Sequence, residues 1–134
     1  MPLTQTLPLT RRTLLANGLT TALAAAATSA LAHHGLMIWD RDNPVTLKGL
    51  VSSEMDGFPH WEAKIRVDSE DWVIDLGSDF DLERAGLSTD GREFTIGAAI
   101  EVTGYRPKDS DTRLLRPKSI TLDGTTYTFT TDWD

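Results

Sequence analysis

Cysteine is absent from all 134 residues, which excludes disulfides, thiolate metal ligands and thiol nucleophiles together. Histidine is scarce: His33, His34 and His60 are the only three. No apolar run reaches the roughly 20 residues that cross a bilayer; the longest, residues 14–27, is about 14 residues long. Acidic side chains are missing from residues 1–32, although the chain carries 20 of them. Gly-rich phosphate loops are missing as well, and Ser52 and Ser53 stand in no nucleophile-elbow pattern. What remains for site chemistry is a handful of nitrogen donors and many carboxylates.

Residues 1–32 have the three parts of an export signal. Arg11 and Arg12 supply the positive start, the Ala-, Leu- and Thr-rich stretch supplies the apolar middle, and Ala30-Leu31-Ala32 supplies an A-x-A cleavage site. Thr10-Arg11-Arg12-Thr13-Leu14-Leu15 also resembles a twin-arginine motif, with Leu14 where Phe is common and Ala16 where Lys is common. Mild hydrophobicity, with Gly18 inside the run, favours that route over the general one. The expectation is a signal peptide over residues 1–32, cut after Ala32, and a periplasmic or secreted protein with no stable membrane span.

The chain expected after the cut, residues 33–134, is one small domain. Removing the two leader arginines leaves 11 of the 13 Lys and Arg against 20 acidic residues, a formal net charge of −9. Phosphate backbones select basic surfaces, so nucleic acid is excluded as the expected partner.

After Asn43-Pro44 the chain reads as short strands divided by turns. Residues 45–51 alternate with period two, and Gly49 within them signals a bend or bulge. A loop, residues 55–59, leads to a strand over 60–67 with Trp61, Ala63, Ile65 and Val67 on one face. A charged turn, residues 69–71, separates it from a third strand over 72–76. One helix follows: Ser78 caps it, Asp79 and Asp81 occupy its first turn, Gly86 ends it, and Phe80, Leu82 and Leu87 are its expected apolar contacts. Residues 98–105 and 116–122 are strands four and five, and after the Asp123-Gly124 turn residues 125–130 can pair back. A mainly β fold of five strands, with one helix between the third and fourth, is the element order of a small OB-like barrel. An immunoglobulin-like sandwich needs about seven strands and no such helix.

The candidate chemistry lies in the histidines. A cut after Ala32 would free the α-amine of His33, which together with its own ring can grip one metal ion. A ring from His34 or His60 would complete three nitrogens, the array called a histidine brace. Copper(II) prefers nitrogen donors in a square-planar or tetragonal arrangement; zinc is the alternative, using the same imidazoles with a carboxylate. Met37 and Met55 are soft donors that fit hydrophobic packing better. The plainer reading makes His33-His34 a frayed polar start and His60 a strand-edge residue. It leaves a metal-free barrel that binds an envelope protein or small ligand, with Trp39, Trp61, Trp72 and Trp133 as a stacking platform or as packing. No pair of carboxylates has acid/base spacing, so no catalytic residue is assigned and an enzyme is not the expected class.

Several segments resemble a family of small exported bacterial proteins classed as a domain of unknown function. They are His33-His34-Gly35, Trp39-Asp40, Pro44-Val45-Thr46-Leu47-Lys48-Gly49, Arg84-Ala85-Gly86-Leu87, Val102-Thr103-Gly104-Tyr105 and Ile120-Thr121-Leu122-Asp123-Gly124-Thr125-Thr126-Tyr127. The family's Asn-Pro-His before the second strand appears as Phe58-Pro59-His60, with the Asn replaced. The resemblance spans most of residues 33–129 and implies an exported domain whose pattern includes all three histidine positions. It implies no activity.

Overall fold

The computed structural model describes residues 38–108 and 111–130. Arg11, Arg12, Ala30, Ala32, His33 and His34, like Met37 and Trp133, lie outside the described residues. Within them the chain forms β1 (Val45–Val51), β2 (Trp61–Val67), β3 (Glu70–Gly77), α1 (Asp79–Ala85), β4 (Ala99–Tyr105), β5 (Leu114–Leu122) and β6 (Thr125–Thr128).

The strands close on themselves. β1 pairs antiparallel with β2 at its C-terminal end and with β4 along nearly its whole length. β2 pairs with β3 as a hairpin, and β4 pairs with β5. A parallel pairing of β3 with β5, Val73 opposite Leu114 and Ile74 opposite Leu115, completes the ring. The order around the barrel is therefore β1-β2-β3-β5-β4, with α1 between β3 and β4, and this is the five-stranded OB arrangement expected from the element order. Closure leaves these five strands little open edge. β6 extends β5 beyond the ring through a turn at Asp123 and Gly124, both at positive φ.

Period two sets what faces inward. In β2, Ala63 and Ile65 are buried while Glu62, Lys64 and Arg66 are exposed. Ile74 and Leu76 of β3, Ile100 and Val102 of β4, and Leu115, Ile120 and Leu122 of β5 meet them inside. Full burial of one such side chain is worth about 1.5–3 kcal/mol, and in a chain without cysteine this core carries the stability. Leu82 and Leu87 fasten α1 and its exit to the core.

Two glycines let the strands approach. A Cβ on Gly49 would run into the Arg66 carbonyl of β2, and one on Gly104 into the Arg116 carbonyl of β5. The bend expected at Gly49 is thus a close backbone crossing. Gly104 sits beside a register shift in the β4–β5 ladder.

The helix has the expected caps. The Asp81 N–H donates to Ser78 Oγ at 3.4 Å while the Ser78 N–H donates to Asp81 Oδ2 at 2.7 Å, a reciprocal capping box. Gly86 closes it in the left-handed region at φ 85°. Phe80 departs from expectation: it is exposed, and the Arg84 guanidinium lies 5.3 Å over its ring. A helix of seven residues turns only Leu82 fully into the core, so Phe80, two positions earlier, faces away. β3 and β5 also start earlier than expected. Glu70 and Asp71 are strand residues opposite Val67 and Arg66; Asp71 pairs with Arg66 across the hairpin and Glu70 with Arg113, just before β5.

Candidate functional site

His60 ends a loop that the backbone locks from both sides. The Asp56 N–H donates to the Glu62 carbonyl at 3.0 Å and the Glu62 N–H returns to the Asp56 carbonyl at 2.8 Å. Inside that frame the His60 N–H donates to the Gly57 carbonyl at 3.0 Å, and the Phe58–Pro59 peptide is cis. The imidazole is thereby held at the entrance to β2 with its side chain 57% exposed.

Its partner comes from another strand. His60 Nε2 lies 2.5 Å from Asp75 Oδ1 of β3. Arg116 of β5 donates from Nη1 to the same oxygen at 3.0 Å, and the Gly77 N–H donates to it at 3.1 Å. Asp75 and Arg116 are 15% and 13% exposed, so the pair is largely withdrawn from water while the imidazole is not. The parallel β3–β5 pairing is what makes this meeting: it sets Ile74 beside Leu115, and the next residues of the two strands are Asp75 and Arg116.

An aromatic margin adjoins the histidine. Phe58 is exposed and meets Trp61 edge to face, ring centres 5.7 Å apart. Trp61 Nε1 donates to Asp79 Oδ1 at 2.6 Å, which ties β2 to the first turn of α1.

Of the three histidines, His60 is the one within the described residues, so whether His33 and His34 approach it lies outside them. Among the described residues no group of three or more His, Asp or Glu side chains is arranged to hold a metal ion. Met55 packs against the core and beside Gly91, in keeping with a packing role. Ser53 Oγ donates to the Glu54 carbonyl and Ser52 Oγ to Asp71 at 3.4 Å; that carboxylate is held by Arg66, which lowers its pKa and makes it too weak a base to activate the hydroxyl. The described tryptophans form no common platform. Trp39 is buried, Trp61 is engaged by Asp79, and the Arg106 guanidinium covers Trp72 at 5.3 Å.

Sequence reasoning found His60 and missed Asp75 and Arg116. Asp75 is one of many acidic residues and Arg116 opens an expected strand. Their one signal was position: each is a charged residue between two inward-facing apolar neighbours, Ile74 and Leu76, and Leu115 and Pro117. No helix among the described residues is long and apolar enough to cross a membrane.

The family model of DUF6152, a family of unknown function, matches residues 21–116. This is well over half of the chain, and the chain belongs to that family. The matched span contains His33, His34, His60, Asp75 and Arg116. No curated protein matches the chain.

Proposed function

With membership of a family that carries no assigned activity as the premise, we propose that this chain is an exported OB-type domain that binds a metal ion and catalyses no reaction. Copper(II) is the first choice and zinc the second. The ligands are the α-amine and ring of His33 after cleavage behind Ala32, together with His34 or His60. The observation that carries the reading is the state of His60. Its ring is held by Asp75 through one nitrogen, is more than half exposed, and so has its second nitrogen available. A metal-binding histidine ordinarily has this form, its other ring nitrogen donating to a carboxylate, a backbone carbonyl or water. An acidic surface suits a protein that attracts cations.

The test uses the processed protein beginning at His33 and the same protein with one residue added in front. Copper(II) titration is expected to give markedly weaker binding for the extended form, because the added peptide bond removes the amine ligand. Equal affinity overturns the brace. Metal content of the protein recovered after export decides the broader reading.

A second reading, a metal-free module for an envelope protein or a small ligand, draws on the exposed Phe58 beside Trp61. It is distinguished by an exported protein that contains no metal and takes up none.

A further inference from the structure

Asp75 Oδ1 is surrounded by three nitrogens: His60 Nε2, Arg116 Nη1 and the Gly77 amide. The amide and the guanidinium are donors and nothing else. An ionised carboxylate oxygen only accepts. His60 Nε2 therefore points its proton at Asp75, and in the neutral ring the lone pair falls to Nδ1. Among the described residues no hydrogen bond is made to Nδ1.

We propose that Asp75 is a positioning residue: held by Arg116 and the Gly77 amide, it fixes His60 in the Nε2–H tautomer and presents Nδ1 as the nitrogen that takes a copper(II) ion. The inference rests on the metal reading for the role it gives Nδ1, while the tautomer can be measured with no metal present. A free surface imidazole interconverts between two tautomers and turns about its side-chain bonds. Here the tautomer and the ring plane are both set before any ligand arrives. The fixing group is itself fixed, since three elements of the barrel converge on one oxygen: the β2 entrance, the end of β3 and the start of β5. Pre-set ligands of this kind bind more tightly because less ordering is left for the binding step.

The experiment begins with nitrogen-15 NMR of the His60 ring, in alkaline buffer, on metal-free protein as isolated from its producing cells. Copper(II) titration followed by tryptophan fluorescence comes second, with Trp61 adjoining His60 as the reporter. The wild type is expected to show the Nε2–H tautomer alone. Asp75→Ala should show both tautomers and bind copper about 10- to 100-fold more weakly. Asp75→Asn retains an oxygen that can accept from the same three donors, so it should restore the tautomer. A residue of purely structural importance would leave the tautomer unmoved in any variant that folds. An Nδ1–H tautomer in the wild type, or unchanged tautomers in Asp75→Ala, overturns the inference. If Asp75→Ala does not fold, the wild type and Asp75→Asn still decide it. Copper bound to a wild type in the Nδ1–H form defeats this inference alone. An Nε2–H ring that takes up no copper defeats the metal reading, and the role of Nδ1 with it.

Discussion

Two arginine–aspartate pairs stand four residues apart on β3, and they share most of their construction. Arg66 of β2 reaches Asp71, and Arg116 of β5 reaches Asp75. Each arginine's carbonyl lies against a glycine of the next strand, Gly49 of β1 for the first and Gly104 of β4 for the second. The backbone thus makes the same close crossing twice. Water separates the two cases. Arg66 and Asp71 are 50% and 47% exposed and meet through two parallel bonds, at 2.5 and 2.9 Å. Arg116 and Asp75 are 13% and 15% exposed and share a single bond at 3.0 Å, with His60 on the same oxygen. By geometry the first pair is the better one. By environment the second matters more, because solvent screens an exposed pair and the entropy of holding two long side chains offsets much of its attraction. The closer contact is not the more consequential one.

The shared half of this comparison should give the largest effects. Gly104→Ala and Gly49→Ala each force a Cβ into a neighbouring carbonyl, with backbone and not a flexible side chain as the obstacle. Each substitution is expected to destabilise the domain by about 3 kcal/mol, read as a lower urea midpoint with little change in slope. A tolerated Gly104→Ala beside a damaging Gly49→Ala would break the equivalence. It would mean that the register shift between Thr103 and Gly104 lets β4 yield where β1 cannot.

The half that differs should give a smaller, one-sided effect. Arg116→Met leaves a largely buried carboxylate without its charged donor and should cost about 2 kcal/mol. Arg66→Met leaves Asp71 to water that already reaches it, so its unfolding midpoint should fall by much less than that of Arg116→Met. Equal losses from the two substitutions would show that the contact, and not its burial, sets the contribution.

What could be read beforehand followed the same division between local and distant. The barrel was legible because alternation, turn residues and helix caps are written in neighbouring positions. Ser78, Asp81 and Gly86 mark α1 within nine residues of sequence. Phe80 misled because it is as apolar as Leu82, and only the helix's orientation tells them apart. Charge hid the first residues of β3, since Glu70 and Asp71 read as a turn until their cross-strand partners are known. His60 was visible by its rarity. Asp75 and Arg116 were not, because they lie 15 and 41 residues from their partners in the chain and only the closing β3–β5 pairing brings them together. The Gly49 crossing was half legible, as a bend without its cause, and Gly104, near the end of the expected strand 98–105, offered the same glycine-in-strand signal.

The finest distinction concerns how the exposed pair acts. The Asp71 carboxyl is held below the ordinary carboxylate range, first by the hydrogen bond from Arg66, opposed by partial desolvation, and then by the Arg66 charge, the Ser52 hydroxyl and the Lys64 charge. A folded value below the unfolded one means that the linked stabilisation is fully present above the unfolded value, about 3.9. It is lost as pH falls through the lowered folded value. In an NMR titration the Asp71 midpoint should therefore lie below that of an unstructured aspartate and rise toward it in Arg66→Met. Ser52→Ala should raise it less, since its bond is the long one at 3.4 Å. Added salt separates the causes, because it screens the Arg66 and Lys64 charges and leaves a direct hydrogen bond largely intact. A midpoint that returns fully to the unstructured value in salt would make the pair a charge effect only, with the two parallel bonds contributing nothing in solution. A midpoint that stays low in salt and rises only with Arg66→Met would show that the bidentate contact persists in water, so that its small contribution to stability reflects screening and side-chain entropy and not the absence of the bond.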